Sequence, residues 1–210
     1  SYGVATASDG SIYITGITRE DLDGETNAGS YDVFLAKYSS DGIKVWTKLL
    51  GSSSFEIAFG VATASDGSIY ITGYAGGDLD GETNAGVLDI FVSKYSSDGT
   101  KAWTKLLGSS YADIGYGVAT ASDGSIFITG YASGDLDGET NAGSADIFVS
   151  KYSSDGTKVW TKLLGSSGSE RSRGVATASD GSIFITGFTL GDLDGETNAG
   201  NYEAFLTKYG

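Results

Sequence analysis

The nine-residue stretch Asp-Leu-Asp-Gly-Glu-Thr-Asn-Ala-Gly occurs four times without a change, at residues 21–29, 78–86, 135–143 and 192–200, a spacing of 57 residues each time. Most positions between the copies repeat as well. A chain built this way is a row of equivalent supersecondary units, and each unit buries its apolar surface only by packing on its neighbours. The units run over residues 3–59, 60–116 and 117–173, with an incomplete fourth over 174–210. Together they are read as a single repeat domain.

Inside a unit the apolar residues alternate with a period of two and turn signals come at short intervals, as in half-buried strands joined by tight loops. Ile12 and Ile14 point to one face and Tyr13 and Thr15 to the other, which suits a strand packed between two sheets. Asp9-Gly10 and Asp41-Gly42 mark hairpin turns. No segment has the 3.6-residue periodicity of a helix. The expected fold is all-β: a β-propeller of antiparallel four-stranded blades, about four per chain, the last without its fourth strand.

Composition narrows the function classes. The 33 Gly and 0 Pro fit many short strands and glycine turns, and 40% hydrophobic residues supply a core. With no Cys, His or Met, disulfides, thiolate or imidazole metal sites and a Ser-His-Asp relay are ruled out. A net charge of −14 argues against nucleic acid, whose phosphates need clustered cations. No apolar run approaches the ~20 residues of a membrane-spanning helix, so no membrane insertion is expected. A glycosidase carboxylate pair is set aside, because every unit repeats the same acidic residues and none marks one asymmetric pocket. The expectation is a non-enzyme.

The run Gly-Val-Ala-Thr-Ala-Ser-Asp-Gly-Ser-Ile-Tyr-Ile-Thr-Gly, with the later Asp-Ile-Phe-Val-Ser-Lys-Tyr-Ser-Ser-Asp-Gly-Thr-Lys-Ala-Trp-Thr-Lys, resembles the bacterial SBBP β-propeller repeat family over essentially the whole chain. The resemblance implies one blade per repeat, no catalytic residues, and an extracellular or cell-surface protein. A non-enzymatic interaction or structural scaffold follows as the expected role, with a carbohydrate-binding propeller bearing one shallow site per blade as the alternative.

Two kinds of site stand out. The acidic loops place Asp21, Asp23 and Glu25, Asp78, Asp80 and Glu82, Asp135, Asp137 and Glu139, and Asp192, Asp194 and Glu196 within five residues of one another in each copy. Clustered carboxylate oxygens are what Ca²⁺ takes as ligands, so calcium is one reading of these loops. The other is turn chemistry alone, since Asp, Asn and Gly cap tight loops without metal. The second kind of site lies where the units differ: after the second strand, before the third, and in the connector between units. Tyr31, Tyr74, Tyr131, Phe188 and Tyr202 there are candidates for stacking on a glycan or anchoring a protein ligand. Trp46, Trp103 and Trp160 are expected between blades, and Lys44 and Lys48 with their equivalents are expected to guard a solvent-facing edge strand.

Three closures of the ring stay open: four blades with one thin blade, two chains sharing a larger ring of roughly eight blades as a homo-oligomer, or a piece of a longer or stacked array.

Overall fold

A computed structural model describes residues 1–209 as fifteen strands in four antiparallel sheets, with no helix among them. The first sheet holds β1 (Gly3–Thr6), β2 (Ile12–Thr18), β3 (Asp32–Tyr38) and β4 (Lys44–Leu50), in that order. The second holds β5 (Glu56–Thr63), β6 (Ile69–Ala75), β7 (Asp89–Tyr95) and β8 (Lys101–Leu107). The third repeats it with β9 (Asp113–Thr120), β10 (Ile126–Ala132), β11 (Asp146–Tyr152) and β12 (Lys158–Leu164). The fourth has three strands, β13 (Glu170–Thr177), β14 (Ile183–Thr189) and β15 (Glu203–Tyr209). The propeller reading and the thin last blade are both borne out.

The first strand of every blade is innermost, and these strands lie side by side. The Thr63 hydroxyl donates to the Thr6 carbonyl, Thr120 to Thr63, and Thr177 to Thr120, each at 2.9 Å and 57 residues apart. The stretch read from sequence as a connector is in fact the beginning of the inner strand, since β5 starts at Glu56 and β9 at Asp113. Both carry a β-bulge opposite the junction of Thr72 with Gly73 and of Thr129 with Gly130, and β13 repeats it.

Blades stack by one face on the opposite face of the next. Tyr13, Val33, Leu35 and Leu50 of the first blade meet Ile69, Ile71, Leu79, Phe91 and Tyr95 of the second. The same pattern recurs between the second and third blades and between the third and fourth. Trp46 covers the turn of the neighbouring blade: a Cβ on Gly99 would sit 3.2 Å from its ring, and its indole nitrogen donates to the Ser97 carbonyl. This is the inter-blade role expected of the tryptophans.

The row of sheets is not closed. Val4, on the outer face of the first blade, is 67% exposed, and Leu206, on the outer face of the fourth, is 72% exposed. Their equivalents Val118 and Val92 are 9% and 1% exposed. The chemistry of the two ends is that of an internal junction without its other half.

Candidate functional site

In each acidic loop, Asp23-Gly24 and its copies form the centre of a two-residue turn with positive φ at both residues, 55° and 86° in the first copy. Leu22 and Glu25 close it with reciprocal backbone bonds of 3.0 Å. Positive φ at both central positions is the type I′ geometry that matches strand twist, and Asp-Gly is among the sequences that adopt it most readily. The leucine of the loop points into the blade junction, where Leu79 and Leu136 are fully buried.

The carboxylates of the loop are separately engaged. Asp21 accepts from the Asn27 amide at 2.9 Å, and Asp78, Asp135 and Asp192 do the same with Asn84, Asn141 and Asn198. Asp23 takes Lys44 and, at 2.6 Å, the Thr47 hydroxyl. Glu25 pairs with Lys48 at 2.7 Å. Asp80 takes Lys101 and Thr104, Glu82 takes Lys105, Asp137 takes Lys158 and Glu139 takes Lys162. These lysines lie on the edge strand of each sheet, as expected, and they also clip that strand onto the acidic loop. The bonds to Lys44 and Thr47 hold the Asp23 carboxyl below its ordinary value. Among the described residues no group of three acidic side chains is gathered as a metal ion would need.

Asp194 and Glu196, in the fourth blade, have no lysine partner among the described residues, because the strand that supplies one elsewhere is not present beside β15.

The variable residues gather along the inner strands. At the three bulges the unpaired residue is Phe59, Tyr116 and Arg173, and Tyr2 holds the equivalent position in the first blade. A bulge turns one side chain out of the ladder, and here it builds a stack that crosses the blades. Tyr2 and Phe59 lie 5.3 Å apart, Phe59 and Tyr116 4.9 Å, and the Arg173 guanidinium sits 3.9 Å above Tyr116. Tyr74 joins at 6.0 Å from Phe59, Tyr131 at 6.1 Å from Tyr116, and Phe188 faces Arg173 at 5.8 Å. Arg171 lies 4.2 Å over Tyr131. Gly73, Gly130 and Gly187 permit the bulge, since a Cβ on Gly130 would come within 1.8 Å of the Ile114 carbonyl.

Of the five aromatic residues expected from sequence to bind ligand, Tyr74, Tyr131 and Phe188 belong to this cluster. Tyr202 reaches it through Phe188 at 5.0 Å. Tyr31 stands apart under Arg19 at 4.7 Å. Phe59, Tyr116, Arg171 and Arg173 were not among the expected ligand residues, although they occupy the variable connector. Their positions 59, 116 and 173 are one period apart, and that was the available signal.

Under the cluster, each junction buries a pair of acids: Asp32 with Glu56, Asp89 with Asp113, and Asp146 with Glu170, all 1% exposed or less. Asp32, Asp89 and Asp146 each receive a loop amide on one oxygen and leave the other without a partner. Burial, then the facing carboxylate, push Asp89 and Asp146 up, and burial pushes Glu56 and Asp113 up.

Comparison with known proteins agrees with the fold. Residues 102–137 match the family model described as SBBP, a beta-propeller repeat. The stretches at 45–80 and 159–194 are its equivalents by the internal period. The chain is 27% identical over 229 residues to the Regulatory protein FlaEY of Caulobacter vibrioides, an alignment covering 94% of this chain and 24% of that protein. It is also 27% identical over 187 residues to an uncharacterized WD repeat-containing protein of Acanthamoeba polyphaga mimivirus, covering 67% of this chain and 14% of the relative. The chain thus spans a quarter or less of the length of these relatives.

Proposed function

For a chain that carries an SBBP beta-propeller repeat, we propose the role of a non-enzymatic interaction scaffold whose inner-strand ladder of Tyr2, Phe59, Tyr116 and Arg173 receives a partner protein. The ladder carries the reading. It is continuous across all four blades, and it is built at the positions where otherwise identical units differ. Tyrosine and arginine are the side chains that concentrate binding energy in protein interfaces, and an arginine stacked on a ring presents its N–H groups without a large loss of freedom. All three arginines of the chain lie over aromatic rings. Two of them, Arg171 and Arg173, bring positive charge to one place on a strongly acidic protein. An acidic or aromatic protein surface is the chemistry this face fits.

The reading is tested with peptides selected from a displayed library on the unmodified chain and re-measured on Tyr116→Ala and Arg173→Ala. A loss of about tenfold or more in each variant is expected from hot-spot truncation. Unchanged binding in both would remove the ladder from the interface. A glycan array on the same protein separates the carbohydrate-binding alternative, in which repeated sites would give avid retention. The fused stack, rather than four equivalent pockets, favours the protein partner.

A further inference from the structure

The three junctions inside the row of blades share one construction. Tyr31 forms a parallel bridge with Phe55, Leu88 with Ala112 and Ala145 with Ser169. The next residue on both strands is an acid, and neighbours in register across a parallel pair project to the same side. Asp32 therefore comes beside Glu56, Asp89 beside Asp113 and Asp146 beside Glu170, all buried. The Glu56, Asp113 and Glu170 amides close the junctions by donating to the Tyr31, Leu88 and Ala145 carbonyls at 2.7–2.8 Å. Each aspartate carboxyl before the junction lies against Gly51, Gly108 or Gly165, where a Cβ would come within 2.2 Å of it. Ser52 and Ser166 each donate twice, to Glu56 and Glu170, and the Ser109 and Ser133 amides donate to Asp113. Oδ1 of Asp32, Asp89 and Asp146 receives no donor. The sheet neighbours of the six acids are neutral: Thr18, Ala75, Ala132 and Thr189. Every ion pair among the described residues engages other acids. Arg171, next to Glu170, turns its guanidinium onto Tyr131, which is the other ionisable side chain that Asp113 acts on.

We propose that each junction is latched by a proton held between its two buried acids, and that the blades loosen on one another as rising pH removes it. The seat of the proton is Oδ1 of Asp32, Asp89 and Asp146. There it turns an orphaned acceptor into a donor to the carboxylate alongside, which keeps lone pairs free for it. Without the proton, two like charges lie side by side out of water, and both burial and repulsion oppose that. Burial pushes up at least one acid of every junction: Glu56 at the first, Asp89 and Asp113 at the second, Asp146 at the third. The facing acid adds to the rise of Glu56, Asp89 and Asp146, so the proton belongs to the pair. A group raised in the fold binds its proton more tightly there than in the unfolded chain. Its contribution is full below the ordinary 3.8 of Asp or 4.5 of Glu and is lost as pH rises through the raised value. The chain has no His and no Cys, so between about pH 5 and 8 an α-amino group is the only other group whose ordinary value lies in the range. Carboxyls held low, such as Asp98 and Asp155 at about 2, are ionised there in both states. The latch is independent of the inner-strand ladder.

The test follows urea unfolding of the 210-residue chain from about pH 5 to 8.5. The unfolding constant should rise with pH, by up to about tenfold per unit for each proton held. The triple variant Asp32→Asn, Asp89→Asn, Asp146→Asn keeps the shape of the side chains and places an N–H donor where each proton sits. Its unfolding constant should stay level over the same range. The unmodified chain gives a second readout that needs no variant: the infrared band of protonated carboxyl should persist at about pH 6, where ordinary carboxyls are ionised, and fade at higher pH. A level unfolding constant in the unmodified chain, the full pH dependence retained in the triple variant, or no protonated carboxyl at about pH 6 would each overturn the proposal. If the triple variant does not fold, the infrared band of the unmodified chain decides.

Discussion

Four identical acidic loops sit in different surroundings, and this gives a direct test of what holds the blades together. Leu79 is 0% exposed, wedged into the junction between the first and second blades, whereas the same leucine in the first blade, Leu22, faces the open end and is half-buried. Replacing either by alanine makes the same change in the same nine-residue sequence, so local propensity and turn geometry cancel between them. What remains is junction packing. Leu79→Ala removes a fully enclosed side chain whose surroundings are backbone-paired strands with little room to collapse, and should cost about 3 kcal/mol. Leu22→Ala removes a side chain already partly in water, and should cost about 1 kcal/mol. With a urea dependence of about 2–3 kcal/mol per molar, the unfolding midpoints should move by roughly 1–1.5 M and by less than about 0.5 M. Trp46, at that same junction, reports the transition by its fluorescence. Equal shifts for the two variants would refute the open-ended arrangement. They would mean that Leu22 is covered as deeply as Leu79, as it would be in a ring closed by a further blade.

Other outcomes follow from the same geometry. Millimolar calcium should leave the melting temperature unchanged, because in the first three blades Lys44, Lys48 and their copies already neutralise Asp23, Glu25 and theirs; a rise with calcium would show that the cation displaces them. Asp89→Asn should raise the melting temperature at pH 8 and not at pH 3.5. The Asp89 carboxyl is pushed above its ordinary 3.8 by burial and by Asp113, so the fold holds that proton more tightly than the unfolded chain does. Its contribution to stability is therefore full below 3.8 and is lost as pH rises through the raised value. A melting curve for Asp89→Asn that matches the unmodified chain at both pH values would contradict this. Gly130→Ala should cost about 3 kcal/mol or more, since its Cβ would meet the Ile114 carbonyl at 1.8 Å. A near-neutral effect in thermal melting would mean that the bulge is not held as described.

Much of this architecture was legible in the residue order. The 57-residue period, the two-residue alternation of Ile12 to Thr15 and the Asp-Gly turns are set by local chemistry: side-chain direction along a strand and positive φ at a turn depend on near neighbours alone. Strand number, blade count and the thin fourth blade follow from them. Lys44 and Lys48 lie on an edge strand as expected, but their pairing with Asp23 and Glu25 was not legible, because those partners lie more than twenty residues earlier and across a hairpin. The assignment of residues 55–59 to a connector missed because a bulge interrupts the alternation just where the inner strand begins.

The sequence by itself determined the unit: what each blade is, and which residues of it are apolar on both faces. Tertiary structure alone decided what each copy of that unit touches. Val92 and Leu206 hold the same place in their blades, yet one is buried and the other is 72% exposed. Identical sequence cannot distinguish these sites, because burial belongs to the neighbour that packs against a blade and not to the blade.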